Sequence, residues 1–231
     1  MHRWTPYVRH FPEAHTGLAI KLSLDGMIEE LGLDVTNILK VAINDNASNC
    51  KLAIKLSDYL VQYLCQIHTL QLGVGDTFKS TYVGGANMDE VIKTGRSLAN
   101  HLVKSGPDSL ALKESCNEMK IKYTTVKNPN KTRWNSVHTM LKSIIKVKPA
   151  LIKLANDDPS GNWEKRVFSS AEWKMAEGAV KILEEVLLVT KAWEAETTPT
   201  INLVISELYN LDMKLEETIN NSGTCRYLCL S

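Results

Sequence analysis

No apolar run in this sequence exceeds four or five residues, far short of the roughly 20 that a membrane-spanning helix takes. The start, Met1-His2-Arg3-Trp4, holds no apolar signal core, so secretion is not expected. Cysteine is scarce: Cys50, Cys65, Cys116, Cys225 and Cys229 are five in number, odd and scattered. That excludes a disulfide framework and points to a reducing compartment, cytosol or nucleus. Internal repeats and low-complexity tracts are absent. Acid is missing locally as well. From Met119 to Asn156 there are nine Lys or Arg and no Asp or Glu, so with a net charge of +1 the remainder carries −8. A basic block in an otherwise acidic chain is a candidate phosphate-contacting surface. It is also what a solvated helical face looks like.

What is present is the composition of a globular protein: 231 residues, 44% hydrophobic and 23% charged, enough for one large domain or two small ones. Trp4 to Phe11 reads as a strand stopped by Pro12. Thr16 is an N-cap candidate for a helix that stops at Gly32. A strand over Ile38–Ile43, a helix capped by Ser48 or Asn49 and a strand over Tyr63–Ile67 follow, with His68-Thr69 opening a further helix. Alternating strands and helices predict an α/β unit with crossover connections. Beyond about Gly73 the pattern is helical only. One apolar stripe runs from Met88 to Val103 and ends at Ser105-Gly106-Pro107. A second runs from Trp134 to Ile145 and ends at Pro149. Residues 157–168 read as an exposed loop. Ser169-Ser170-Ala171-Glu172 is a capping box, and Thr198-Pro199 restarts the chain as N-cap and N1 of the last helix.

Three motifs could carry chemistry. Asp45, in Asn44-Asp45-Asn46-Ala47-Ser48-Asn49, leaves a short apolar strand at its carboxyl end, where α/β sheets bind ligands and metals. The same hexapeptide is rich in turn formers, which by themselves favour reading Asp45 as an Asx-turn or N-cap residue. Cys65-x-x-His68 has the spacing of half a zinc site, without a second pair of ligands elsewhere. A buried cysteine beside a hydrogen-bonded histidine accounts for it as well. In Thr132-Arg133-Trp134-Asn135-Ser136, Arg133 could hold a phosphate while the Trp134 indole anchors a helix or stacks on a base. Lys127, Lys131 and Lys142 belong to the same basic run. Cys225-x3-Cys229 lies in an irregular tail.

Taken in order, these segments resemble hAT (hobo/Ac/Tam3) DNA transposases, above all the transposase-derived proteins that carry a BED zinc finger. The matching text is Phe11-Pro12-Glu13-Ala14-His15-Thr16-Gly17, Asp45-Asn46-Ala47-Ser48-Asn49, Cys65-x-x-His68-Thr69-Leu70-x-Leu72, Thr132-Arg133-Trp134-Asn135-Ser136 and Thr198-Pro199-Thr200-Ile201. The resemblance implies a partial RNase H-like α/β core over residues 1–74, an all-helical insertion over 75–220 and an irregular tail over 221–231. It implies that Asp45 is the second acid of a DDE triad that binds Mg or Mn in the ancestral enzyme, and that Cys65 and His68 lie beside that site. It places Arg133 and Trp134 close to DNA in the nucleus, and Lys131, Lys127 and Lys142 of the basic run are the candidate DNA contacts beside them. The triad's first aspartate and its glutamate would fall outside these 231 residues, as would the BED finger and the dimerisation region. An internal fragment with one of three acids is expected to hold no metal and to catalyse no phosphoryl transfer. DNA, bound weakly and without sequence preference, is then the expected partner, with protein partners possible and no membrane. Two alternatives stand beside this: an active transposase if the full gene restores the acids, and a non-functional truncated product. The α/β part is expected to be the less stable one, because its sheet edges lack their neighbours.

Overall fold

The computed structural model describes residues 10–34, 36, 40–80, 82–83, 86–128, 134–194 and 203–222. The chain divides into two compact units: Met1–Leu72 with Trp193–Asn202, and Gly73–Ala192 with Leu203–Ser231.

In the first unit, α1 (Gly17–Glu30) starts where Thr16 accepts a hydrogen bond from the Ala19 amide at 3.2 Å. It ends at Gly32, whose φ of 59° is the left-handed conformation glycine adopts without strain. There the Leu33 amide donates to the Ile28 carbonyl and the Gly32 amide to the Glu29 carbonyl, the bonding of a Schellman stop. β1 (Lys40–Asn44), α2 (Ser48–Lys55) and β2 (Leu60–Leu64) form a strand–helix–strand crossover. The two strands pair in parallel, Lys40 opposite Leu60 and Asn44 opposite Leu64. α3 (Gln66–Ser80) follows at once. The second strand therefore lies three residues earlier than the sequence pattern suggests. Gln66 and Ile67 belong to the helix, because the Cys65 carbonyl accepts from the Thr69 amide and so begins the helical ladder. Residues 1–9 of the expected first strand lie outside the described residues, and His10 and Phe11 carry no strand.

This unit has a thin core. Ala53 and Ile54 are buried, whereas Val41, Ile43 and Val61 are 45%, 64% and 51% exposed. Parallel sheets are normally covered on both faces, and here one apolar face of the pair is bare. α1 and α2 touch through Gly17, where an added Cβ would lie 2.7 Å from Leu52 Cβ.

The second unit departs from the all-helical expectation in a small way. β3 (Tyr82–Val83) and β4 (Ala86–Asn87) pair antiparallel, with Gly84-Gly85 between them in sequence, a two-residue hairpin signal. Then come α4 (Met88–Lys104), α5 (Gly106–Glu118), α6 (Trp134–Lys146), α7 (Lys148–Asp157), α8 (Ser170–Trp193) and α9 (Val204–Ser222). α5 and α7 begin where the sequence pattern suggests stops. Pro107 and Pro149 sit in the first turns of new helices, positions where the missing proline N–H has no helical partner to lose. Ser105 accepts from the Asp108 amide and caps α5. The 157–168 segment is not simply exposed: Trp163 and Phe168 are 9% and 5% exposed. It is ordered by the Asp158 carboxylate, which accepts from the Ser160 and Trp163 amides, each at 2.9 Å, and from the Ser160 hydroxyl. Those donors hold the Asp158 carboxyl down at about 2. The capping box forms in both directions, Ser169 amide to Glu172 at 2.8 Å and Glu172 amide to Ser169 at 3.3 Å. Thr198-Pro199 and Cys225-x3-Cys229 lie outside the described residues.

The core of this unit is continuous. Met88, Leu98, Leu112, Met140, Leu141, Ile144 and Leu151 are fully buried. α4 approaches α6 closely at Gly95, where a Cβ would meet Met140 Cε at 2.9 Å and Ile144 Cδ1 at 3.3 Å.

Two glycines in α1 make opposite predictions. Gly17→Ala is expected to destabilise the first unit by about 1–3 kcal/mol, since the base of Leu52 cannot swing away. Gly26→Ala, with nothing within 4 Å of the new methyl, is expected to stabilise it by about 0.5–1 kcal/mol. Urea unfolding of both variants checks this, and a stabilising Gly17→Ala would contradict the packing.

Candidate active site and nucleic-acid interface

The first candidate site is the carboxyl end of the parallel pair. The Cys65 amide donates to the Asn44 carbonyl at 2.8 Å, which continues the ladder one residue past β2. Asp45 and Cys65 therefore leave neighbouring strands at the same end. Asp45 is exposed, and its Oδ1 takes the Ala47 amide at 3.4 Å, a loose Asx turn. Asn46 adopts a φ of 66°, a left-handed conformation that asparagine tolerates better than most residues. The Asn46 amide donates to Asn44 Oδ1 at 3.2 Å, and its side-chain amide reaches the Thr69 hydroxyl at 3.5 Å. Asn44 Nδ2 and Asn46 Oδ1 are buried atoms without a partner among the described residues. Cys65 and His68 are half-buried at the start of α3, and Thr69 donates its hydroxyl to the Cys65 carbonyl at 3.1 Å.

The fit of a metal here can be tested directly. Among the described residues, no group of three or more His, Cys, Asp or Glu side chains converges. Two divalent ions need several carboxylates around them, and a structural zinc needs four ligands. Asp45 alone fits neither, and Cys65 with His68 does not complete a zinc set, so no metal-dependent step is derived for this chain.

The second candidate is the basic run. Lys131 and Arg133 lie outside the described residues. Trp134 opens α6 and is only 6% exposed. Of the two roles open to its indole, this burial suits helix anchoring and leaves no face for a base. Three of the run's cations are paired with acids, each with at least one on another element. Lys142 Nζ lies 2.5 Å from Glu184 of α8, Lys148 lies 2.7 Å from Glu177, and Lys153 lies 2.8 Å from Glu118 and 3.1 Å from Asp157. Lys148 also sits 5.1 Å above the Trp173 ring, a cation–π distance.

Lys120, Lys122, Lys127 and Lys146 are exposed, and no carboxylate pairs with them among the described residues. The first three lie on or next to the irregular segment 121–128, which runs between α5 and α6 in sequence and is pinned by buried Val126. The Lys127 amide donates to Ser143 Oγ at 3.0 Å, which holds the segment against α6 one turn from Lys146. Lys120 has a φ of 55°. It occupies the left-handed position that ends α5, where the Ile121 amide donates to the Cys116 carbonyl. A glycine would adopt that conformation without strain.

Sequence reasoning singled out Lys127 and Lys142 from this run and missed Lys120, Lys122 and Lys146. No local signal separates them. Glu177 and Glu184 sit far along the chain, and only Lys153–Asp157 has a pairing legible at i,i+4.

His138 is a further residue that sequence patterns pass over. It is 4% exposed within α6, and burial is the main cause that pushes its pKa below the ordinary histidine range, with Lys142 and Lys191 adding to it and Glu184 opposing. A histidine whose folded pKa is depressed contributes stability above its unfolded pKa of about 6.5, and that contribution is lost as pH falls through the folded value. Thermal unfolding between about pH 7.5 and 5 should show the native chain losing more stability on acidification than His138→Leu. Equal losses would contradict a buried neutral ring.

The ZBED1 RNase-like helical domain family matches residues 64–182, just over half of the chain. That stretch takes in Cys65, His68, Lys127, Lys142 and the whole of α4 to α7, while Asp45 lies outside it. A Zea mays protein described as an AC transposase is 36% identical over 72 residues, which are 31% of this chain and 9% of that protein. The matched stretch is thus a small part of that relative's length. Among the described residues no helix is long and apolar enough to cross a membrane. By the match over half its length, the chain belongs to the ZBED1 RNase-like helical domain family and is a hAT-type transposase-derived protein.

Proposed function

We propose that this chain is a DNA-contacting part of a nuclear, hAT-type transposase-derived protein, and that these 231 residues by themselves neither cut nor join DNA. Residues 1–74 correspond in this reading to part of an RNase H-like core, and residues 75–220 to the helical insertion. The parallel crossover with Asp45 at its strand end supports the first assignment, and the family match supports the second.

The observation that carries the DNA reading is the set of unpaired lysines, Lys120, Lys122, Lys127 and Lys146, on and beside one irregular segment. Four exposed cations left without acids, in a chain that neutralises three neighbours, form a surface suited to phosphate. Lys120 strengthens the case, because a side chain held at positive φ is a local strain of the kind that collects at functional positions. Arg133 and Lys131 extend the surface in this reading, with Trp134 as the anchor of α6, while Lys142 is taken up by Glu184. Contacts of this kind position a protein on the backbone and do not read sequence. Asp45 keeps the place of a catalytic acid, with Cys65 and His68 beside it. Phosphoryl transfer with Mg or Mn asks for several acids together, and no group of three His, Cys, Asp or Glu side chains forms among the described residues.

Fluorescence anisotropy with a short DNA duplex tests this. Affinity should fall steeply with salt, by about 0.9 of a log unit per log unit of salt for each phosphate contact. Lys122→Ala with Lys127→Ala should weaken binding to all sequences and flatten the slope by about two contacts, and Arg133→Ala by about one. Binding indifferent to salt, or loss at one preferred sequence only, would contradict the reading. With Mg or Mn added, the chain should leave DNA uncut and Asp45→Asn should bind as the native chain does. Cleavage abolished by Asp45→Asn would restore the enzyme reading.

A further inference from the structure

The exposed stripe of α6 consists of Thr139, Lys142 and Lys146, and among the described residues Lys142 alone of its two cations has an acid partner. Lys142 Nζ is held 2.5 Å from Glu184 Oε1. The same oxygen lies 3.9 Å from Nε2 of His138, one turn earlier on α6. That nitrogen is buried and has no hydrogen-bond partner among the described residues. The charges that bear on the ring are Lys142 on its own helix and Glu184 and Lys191 on α8. α4 meets α6 through Gly95 against the aliphatic ends of Met140 and Ile144.

We propose that Glu184 is a positioning residue that withholds Lys142 from DNA phosphate, and that a proton on His138 draws Glu184 off and releases Lys142 to bind. This rests on the DNA-contact reading above. The physics is a competition for one carboxylate. A neutral His138 makes no claim on Glu184, so Lys142 has it alone. A protonated ring buried beside α8 needs a counter-charge, and Glu184 is the only acid within reach among the groups that bear on it. The Lys142–Glu184 pair is half-exposed, side chains 46% and 42% accessible. Ion pairs so placed are weak and screened by salt, so a shared Glu184 readily yields Lys142 to a phosphate. Burial holds the His138 pKa below the ordinary range, so the ring is neutral and the release absent at neutral pH, and the release follows the ring's own titration as pH falls. The stripe thereby gains a second working cation only when protonated.

The test combines binding with titration. At about pH 7.5, Glu184→Gln should bind a DNA duplex roughly threefold tighter than the native chain at physiological salt, with a salt slope steeper by about one contact. Lys142→Ala should bind as the native chain does at that pH, and the double variant should lose the gain. As pH falls through the His138 titration, the native chain should gain the same contact while Glu184→Gln shows no such gain. NMR titration of the His138 ring in the protein without DNA gives an independent readout. Its pKa should drop in Glu184→Gln and rise in Lys142→Ala. Native and variant chains of equal affinity on DNA would overturn the withholding role and leave DNA contact standing. A His138 titration unmoved by Glu184→Gln would overturn the proton link. A native chain that binds no DNA at any salt would overturn both this inference and the reading beneath it.

Discussion

The contact on which the helical unit depends is the close approach of α4 and α6 at Gly95. With no side chain there, Met140 and Ile144 of α6 enter the space a Cβ would fill. α6 is thereby buried along most of its circumference, Trp134, Val137, His138, Met140, Leu141, Ser143 and Ile144 all being inaccessible. One narrow stripe remains outside, and its polarity is fixed by what is left: Thr139, Lys142 and Lys146. The same packing brings Ser143 Oγ against the segment that carries Lys122 and Lys127. The positions of the exposed lysines beside α6 thus follow from a core contact that contains no charge. Burial also takes His138 into the interior, where an unmatched nitrogen acquires consequences it would not have on the surface.

In the α/β unit the equivalent constraint is the parallel register. Pairing Asn44 with Leu64 puts the ends of two strands side by side, and the α2 crossover makes that end the carboxyl one. Asp45 and Cys65 leave the two strands at that same end because of chain topology, and His68 follows in the first turn of α3. The bare face of Val41, Ile43 and Val61 shows how little of this unit's apolar surface is covered within the described residues, in contrast to the continuous core of the helices.

Much of this was legible in advance where the deciding interaction is local. Thr16, Gly32, Ser169 and Glu172 act through atoms three to six residues away, so their roles can be read from the string of residues. The helix stops ahead of Pro107 and Pro149 are legible too, but the new helices that these prolines open are not, because a proline that ends one helix and one that begins the next look alike until the preceding cap is known. The strand ending at Leu64 was placed too late, since Cys65-Gln66-Ile67 has no feature that separates a strand end from a helix start. The free lysines could not be distinguished from the paired ones at all. Whether a lysine faces an acid is decided by α8 returning to α6, over a separation of 42 residues for Lys142 and Glu184. The DDE assignment of Asp45 came from resemblance, and the geometry adds only that it stands at the expected end of a parallel strand.

The central claim is that the unpaired lysines beside α6 are the surface that meets DNA. Lysine acetylation footprinting, read by mass spectrometry with and without a DNA duplex, tests it most directly. Lys120, Lys122, Lys127 and Lys146 should be protected on binding, with Lys113 of α5 and Lys174 of α8 labelled equally in both states. Even protection of all lysines, or protection confined to residues outside the 119–156 run, would contradict it.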